Sequence, residues 1–534
     1  MAVKKQTFFK GVLVIMGAQI FIKLLGFIYR VVLTNFKEFA DVGNSYYGSG
    51  FSVYAFLLAI ATLGIPNTMS KLISEKIAIG DRKGAHKIFK TAMLLFTCIG
   101  IVFGLGMFFG ADFISTEILK NPGVKYTLMA LSPAIIFVAM TATIRGYFVG
   151  MQNMEEYSKA QIIEQVVNST FSIIFVVMLL GRTPEIMAAG STLATTLATM
   201  TSFLYLLRYY RKNREDIWKE IRASAVFKEE SRKKIIKKLI SYVIPISFGS
   251  IIVTLSSLVD TVTVVNCLQQ YGYSLEEANV QYGILAGKVE TLNALPLSIN
   301  VAFSVALVPF VATAIAQGRK KEAVDKINFS VKTSGIIALP CAVGLSMMAA
   351  PIFQMLFPNA SSGANLLEIQ AFMVIFSVVA QTLYGALQGL GKLYVPGICL
   401  GVGIVVKYMI NVTLIPVYGE IVAPIASVIY QAIACTTSFV LLYRYLKEKP
   451  DLKDLFGKTI LATILMAAVI YICKTYLPLF IASNTISVIV TILIAIFVYF
   501  NLIFGSKTFN KNEIMELPMG QKIYTFVSKF HKIK

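Results

Sequence analysis

Apolar runs of 20 or more residues recur along the whole chain, separated by short polar stretches. At 1.5 Å of helix rise per residue, runs of that length match the hydrocarbon core of a bilayer, about 30 Å thick. Backbone groups in lipid must satisfy one another, so only helices and closed barrels cross. The runs lack the ten-residue alternation of barrel strands. The pattern therefore predicts an all-α integral membrane protein with fourteen transmembrane helices, at 8–34, 45–69, 91–114, 125–149, 159–181, 185–207, 240–268, 283–315, 330–350, 365–388, 395–417, 421–443, 459–480 and 484–505. The first run lacks an A-x-A cleavage pattern and holds Lys23, so it reads as a retained helix rather than a signal peptide.

The spans repeat. EIMAAGSTLATTLATMTSFLYLLRYY from Glu185 aligns with EIVAPIASVIYQAIACTTSFVLLYRYL from Glu420. At an offset of 236, Ser191, Ala198, Thr201, Ser202, Phe203, Leu206, Arg208 and Tyr209 face Ser427, Ala434, Thr437, Ser438, Phe439, Leu442, Arg444 and Tyr445. RGYFVGMQNM from Arg145 likewise matches YGALQGLGKL from Tyr384, and both contain GxxxG, a pattern that serves close helix packing. The chain thus reads as an N-terminal six-helix lobe (1–210), a basic cytoplasmic linker (211–239), a C-terminal six-helix lobe (240–446), two extra helices (447–505) and a basic cytoplasmic tail (506–534). Six is even, so both lobes enter the membrane from the same side. That predicts parallel repeats about an axis along the membrane normal, as in rocking transporters.

Composition agrees with the pattern. Of 534 residues, 56% are hydrophobic and 14% charged, against about 25% charged in soluble chains. The mean hydropathy is +0.72. A formal net charge of +21 raises nucleic acid as a partner, but the cations fall where the positive-inside rule puts them. With the N-terminus inside, 39 Lys and Arg lie in inner segments and 5 in outer loops, so both termini are expected in the cytoplasm and nucleic acid is not. The long inner loop between spans six and seven suits anionic headgroups. The tail, with Ile523, Phe526 and Phe530 among Lys522, Lys529, Lys532 and Lys534, reads as a surface-lying amphipathic segment. The six cysteines have no metal or redox spacing, so no zinc site or disulfide is expected.

With the cations toward span ends (Lys10, Lys125, Lys159, Lys332 and Lys474) counted with the adjoining loops, five are assigned to the spans themselves: Lys23, Arg30, Arg145, Lys288 and Lys407. Each costs about 2.5–3.5 kcal/mol at the centre of a span, so each needs a polar cavity or a partner. Lys23 and Arg30, seven residues apart, form one stripe on the first helix, although Arg30 lies near a span end where snorkelling would also serve. Arg145 and Lys288 stand near span ends with the same two readings. Lys407, with Asn411 one turn on, is equally readable as a cargo ligand or as a structural partner of Asp260. Asp260, Glu290 and Glu164 are the candidate counter-ions, which leaves the interior cationic, five against three. Guanidinium with ammonium is the usual phosphate-binding pair, so an anionic phosphate or pyrophosphate headgroup fits better than a cationic drug.

GLGKL at Gly389 lacks P-loop spacing and its Ser or Thr, so no ATP engine is visible. The short outer loops leave no room for a catalytic domain. The chain reads as a transporter, not an enzyme. Energy is then drawn from a sodium gradient, a proton gradient or the membrane potential, with no cofactor expected.

KLLGFIYR, GIPNTMSKLISEK, RGYFVGMQNMEEYSKAQIIEQVVN and YGILAGKVETLNALP resemble signature stretches of the polysaccharide-biosynthesis branch of the multidrug/oligosaccharidyl-lipid/polysaccharide exporter superfamily. Within it, the likeness is to the stage V sporulation protein B group and the Gram-positive MurJ-type lipid II flippases. The resemblance implies a bacterial cell-membrane flippase for an undecaprenyl-pyrophosphate-linked cell-wall precursor. It also implies two lobes of six helices, two C-terminal helices forming a lipid groove, and wall-synthesis proteins as partners. Lys23 matches the family's basic residue before the Leu-Gly pair of helix one, Arg30 falls beside a second basic position, and Lys288 lies about one turn before a third. Lys407 stands where some relatives have acidic or amide ligands for sodium. Two other readings stay open: an ion-coupled multidrug antiporter of the same superfamily, and a non-transporting scaffold of a wall-synthesis complex.

Overall fold

The computed structural model describes residues 8–62, 64–224, 227, 229–506, 508–509, 511–516, 521 and 524–525; most of the basic tail, including the cluster from Lys522 to Lys534 except Tyr524 and Thr525, lies outside them. No strand occurs among the described residues. The helices are α1 (Phe8–Thr34), α2 (Ala40–Ala61), α3 (Ile65–Ala78), α4 (Arg82–Phe113), α5 (Val124–Gly150), α6 (Met154–Met178), α7 (Pro184–Lys212), α8 (Arg214–Arg222), α9 (Arg232–Tyr271) and α10 (Leu275–Gly283). There follow α11 (Glu290–Ala316), α12 (Lys320–Met347), α13 (Ala349–Leu356), α14 (Ala364–Gln370), α15 (Met373–Gly389), α16 (Val395–Tyr418), α17 (Val422–Leu446), α18 (Lys458–Phe480), α19 (Asn484–Gly505) and α20 (Lys511–Glu516).

Local chemistry marks several ends. Asp81 caps α4, its carboxylate accepting from the Gly84 N–H at 2.7 Å. Ser274 and Glu277 form a capping box on α10. Gly272, at φ +119°, ends α9 in a conformation that costs a side chain dearly. Between α10 and α11 the helix widens into a π turn, Ile284–Val289.

Twelve helical stretches among the described residues are long and apolar enough to cross a membrane. The expectation of fourteen departs from this at two places. α7 carries Ser191, Thr192, Thr195, Thr196, Thr199, Thr201 and Ser202, and is too polar to be counted by composition alone. α16 and α17 continue through a 3-10 turn at Gly419–Ile421, so 395–446 reads as one 52-residue stretch.

The chain forms two compact units: Met1–Lys288 with Asn411–Gly419, and Val289–Ile410 with Glu420–Lys534. The first unit extends past the basic linker because α9 starts inside it. Ile235, Leu239 and Val243 are buried in one cluster with Ile65, Met69 and Ile73 of α3, Phe89 and Phe96 of α4, Phe148 of α5 and Leu206 of α7. The segment from α8 to α9 is tied to the same end by Arg82–Glu220, Lys83–Glu229 and Lys76–Glu230 ion pairs. A second cluster joins α1, α2, α4, α5, α6 and α7 through Leu33, Tyr47, Tyr54, Met107, Leu128, Val176 and Met187. In the second unit, Leu307, Val311, Ile327, Val331, Leu383, Leu387 and Leu442 bind α11, α12, α15 and α17 together.

The glycines of the two GxxxG pairs sit where helices touch. A Cβ on Gly146 would lie 2.5 Å from the Met69 Cβ, and one on Gly385 would lie 2.6 Å from the Ser304 carbonyl oxygen. Both are closer than any side chain tolerates, so these positions let α5 and α15 approach their neighbours.

Candidate functional site

The five interior cations occupy different kinds of environment. Lys288 is fully buried, and its Nζ lies 2.9 and 3.0 Å from the two carboxylate oxygens of Asp41. Asp41 is in the first turn of α2, where an acid complements the helix dipole. Lys288 comes from the π turn, a device that redirects side chains at the site where one residue is added. The approach is tight: a Cβ on Gly283 would lie 1.7 Å from the Asp41 carbonyl oxygen, and one on Gly287 2.5 Å from the Asn44 side chain. Around this pair is a seam of buried amides and hydroxyls. Ser45 and Asn121 both donate to Asn279 Oδ1, at 2.6 and 2.7 Å, and Asn44 donates to Thr34 Oγ1 at 2.9 Å. The ion pair joins α2 to the π turn, and the Ser45–Asn279 bond joins α2 to α10.

Arg145 is also matched. Its guanidinium pairs with Glu164 of α6 and donates to Ser202 Oγ of α7 at 2.9 Å, so α5, α6 and α7 are pinned by one side chain. Among the expected counter-ions, Glu164 is thus placed on Arg145.

Arg30 differs. It is 8% exposed, yet its Nη1 has no hydrogen-bond partner among the described residues. Its guanidinium carbon stands 4.1 Å from the centroid of the Tyr47 ring, a cation–π contact that holds the group without using its donors. The Tyr47 hydroxyl is 3.2 Å from that of Tyr29. A buried charged donor left unmet is costly, so this cation is poised for an anionic acceptor. Lys23, seven residues earlier on the same face of α1, is exposed.

The profile of the family described as "Polysaccharide biosynthesis protein" matches residues 8–315, more than half of the chain. The chain belongs to the polysaccharide biosynthesis protein family. A second profile, described as MatE, matches residues 286–413. The chain is similar to Stage V sporulation protein B of Bacillus subtilis (strain 168), 28% identical over 65% of this chain and 65% of that protein, just under two thirds of its length. It is also similar to Lipid II flippase MurJ of the same organism, 24% identical over 83% of this chain and 84% of that one. Among solved structures, "Lipid II flippase MurJ, inward closed conformation" superposes with a TM-score of 0.64 at 16% identity, covering 91% of this chain and 96% of that one, a likeness of fold. The fold is that of solved membrane transporters, and the chain, with its many apolar helices long enough to cross a bilayer, is a multi-pass membrane protein.

The remaining candidates have surroundings of their own. Asp260 and Asn411, both in the first unit, meet directly: Asn411 Nδ2 donates to Asp260 Oδ1 at 3.1 Å and to Thr263 Oγ1 at 2.9 Å. Lys407, in the second unit, is 3% exposed with Nζ 5.5 Å from the centroid of the Tyr430 ring. Glu290, at the start of α11, is exposed. No group of three His, Cys, Asp or Glu able to hold a metal ion occurs among the described residues.

Sequence reasoning misses Asp41, because it falls just before the apolar run, between the spans at 8–34 and 45–69. Its signal is a helix-opening position: an acid four residues after Lys37 and immediately before VGNSYYGSG, a run of small and polar residues. It also misses Tyr47, whose ring carries Arg30. A tyrosine inside an apolar run has no distinguishing signature until the neighbouring helix is placed.

Proposed function

We propose that this chain is a flippase that moves an undecaprenyl-pyrophosphate-linked cell-wall precursor, lipid II or a related glycolipid, from the inner to the outer leaflet of the bacterial cell membrane by alternating access. Both termini lie in the cytoplasm, and the two parallel-repeat lobes supply the alternating element. The observation that carries this reading is Arg30, a buried guanidinium braced on Tyr47 with an unmet donor, in line with the exposed Lys23. Guanidinium and ammonium about 10 Å apart along one helix face suit a pyrophosphate and the groups next to it. Similarity to a lipid II flippase of Bacillus subtilis supports the same cargo. Outward movement of an anion from a negative interior is favourable by about 2.3 kcal/mol per charge per 100 mV if the charge crosses the full field, which provides a driving force without ATP.

Purified protein in liposomes with defined lipid-linked substrates tests this. Time-dependent transfer of the pyrophosphate-linked glycolipid between leaflets is expected, and transfer no faster than in protein-free liposomes would defeat the reading. A second reading, an ion-coupled multidrug antiporter, is favoured by the MatE match and by the Asp260–Asn411–Thr263 cluster. It predicts efflux of a cationic dye from the same liposomes under a sodium or proton gradient. The flippase reading predicts none.

A further inference from the structure

α1 presents Gln19, Lys23, Gly26 and Arg30 at steps of four, three and four residues, which return to one helix face. α6 presents Gln161, Gln165, Asn168 and Ser172 at the same steps. The two faces meet. Gln19 Nε2 donates to Gln161 Oε1 at 3.1 Å, and the Gln165 Nε2 lies 3.6 Å from where a Cβ on Gly26 would stand. Gln165 donates to Ser169 Oγ at 3.1 Å, and Asn168 Oδ1 accepts from Thr195 at 3.0 Å.

The four amides, Gln19, Gln161, Gln165 and Asn168, are half-buried, not sealed. Each primary amide offers two donors and a two-lone-pair acceptor, and the bonds above use only a part of that capacity. Among the described residues Gln19 Oε1 and the Gln161 amide nitrogen make no further bond. Val166, Ile174, Val177 and Met178 form the exposed apolar side of α6. Amides turned to hydrocarbon would cost several kcal/mol, so the polar side of the helix belongs to a wet or ligand-filled face. Counted along α1, this face runs from Gln19 to Arg30, about 16 Å.

The two ends of the track differ in chemistry. Arg30 and Lys23 offer only donors and positive charge, which suit phosphate oxygens. The glutamines pair a donor with an acceptor, which suits groups that are both: sugar hydroxyls and the N–H and C=O of an acetamido substituent. We propose that the α1–α6 face is a glycan subsite, in which Gln19, Gln161 and Gln165 hydrogen-bond the hydroxyl or acetamido groups of the sugar on a lipid carrier. This rests on the anionic lipid-linked cargo proposed above and adds which part of the cargo is read, and where.

The test uses the full-length protein in liposomes with two substrates: undecaprenyl pyrophosphate bearing an N-acetylated disaccharide, and undecaprenyl pyrophosphate with no sugar. The Gln161→Leu/Gln165→Leu double variant should translocate the glycosylated substrate about tenfold or more slowly than wild type, the loss expected for one or two hydrogen bonds, while the bare substrate stays within about twofold. A Val166→Ala/Ile174→Ala variant on the opposite side of α6 should leave both rates unchanged. Equal loss of both substrates by the glutamine variant, or no loss of either, would overturn the subsite. If wild type moves neither substrate, the cargo reading itself fails. If wild type moves both and the glutamine variant does so at wild-type rates, only the subsite fails.

Discussion

Lys288 and Arg30 are both cations enclosed in the first unit, less than a tenth exposed, and they are held in opposite ways. Lys288 faces a carboxylate at 2.9 Å and sits in a seam whose asparagines and hydroxyls bond to one another. Arg30 rests on an aromatic face and keeps an unmet N–H. The pair spends its charge on joining α2 to the π turn. On the proposed function, the guanidinium keeps its charge for the cargo. What sets Arg30 apart from Lys288 is burial against an aromatic ring rather than an acid, and the proposed function rests on that difference.

The comparison breaks most visibly at Asp41. Asp41→Ala takes the carboxylate away from the buried Lys288 ammonium, and should cost about 3–5 kcal/mol, read as a collapsed thermal midpoint in detergent. Lys288→Met combined with Asp41→Leu removes both charges and should recover most of that loss. A single variant as stable as wild type would show that the pair is not structural. A smaller effect is expected at Tyr47. Tyr47→Leu removes the cation–π support of Arg30, worth about 0.5–2 kcal/mol, and should weaken substrate affinity severalfold with little change in the maximal rate. An unchanged half-saturating substrate concentration would remove Tyr47 from the site.

The smallest effect lies at the exposed ion pairs between α4 and the segment that joins α8 to α9. Lys83 and Lys87 hydrogen-bond Glu229 and hold its carboxyl down to about 2, from an ordinary 4.5. A depressed folded value means that the contribution is complete above pH about 4.5 and is lost as pH falls toward 2. Because these groups are solvent-exposed, the change should be slight. An acid-active protease, normalised on an unstructured peptide, should cut the 213–231 segment slightly faster at pH 2.5 than at pH 5, and Glu229→Gln should abolish the difference. A large change would mean that this clasp rivals the buried pair.

Much of the fold was legible because lipid leaves so few options. Apolar runs gave helices, and the shared spacing of RGYFVG and YGALQG marked glycines that the structure places at close helix contacts. What hydropathy could not resolve was α7, some of whose hydroxyls turn to its neighbours, Thr195 donating to Asn168 Oδ1 of α6 and Thr196 to the Ala130 carbonyl of α5. The site was legible only in part. The cations stood out because each is expensive in lipid, and Arg145 with Glu164 was assembled from residues already singled out. Partners that decide a cation's role are another matter. Asp41 lies 247 positions from Lys288, and Gln161 142 positions from Gln19, so their pairing is fixed by packing that no local pattern encodes. The glutamine stripe of α6 is visible in QIIEQVVNSTFS once one asks why a span should carry so many amides.

The most direct test sets the two cations against each other in one assay: the initial rate at which a pyrophosphate-linked glycolipid crosses liposomes containing Arg30→Gln or the Lys288→Met/Asp41→Leu double variant. The account predicts that Arg30→Gln slows transfer by about tenfold or more, as loss of a charged hydrogen bond does, while the double variant keeps a rate near wild type. A double variant that fails to transport while folding normally, beside an Arg30→Gln protein that transports as wild type does, would contradict it.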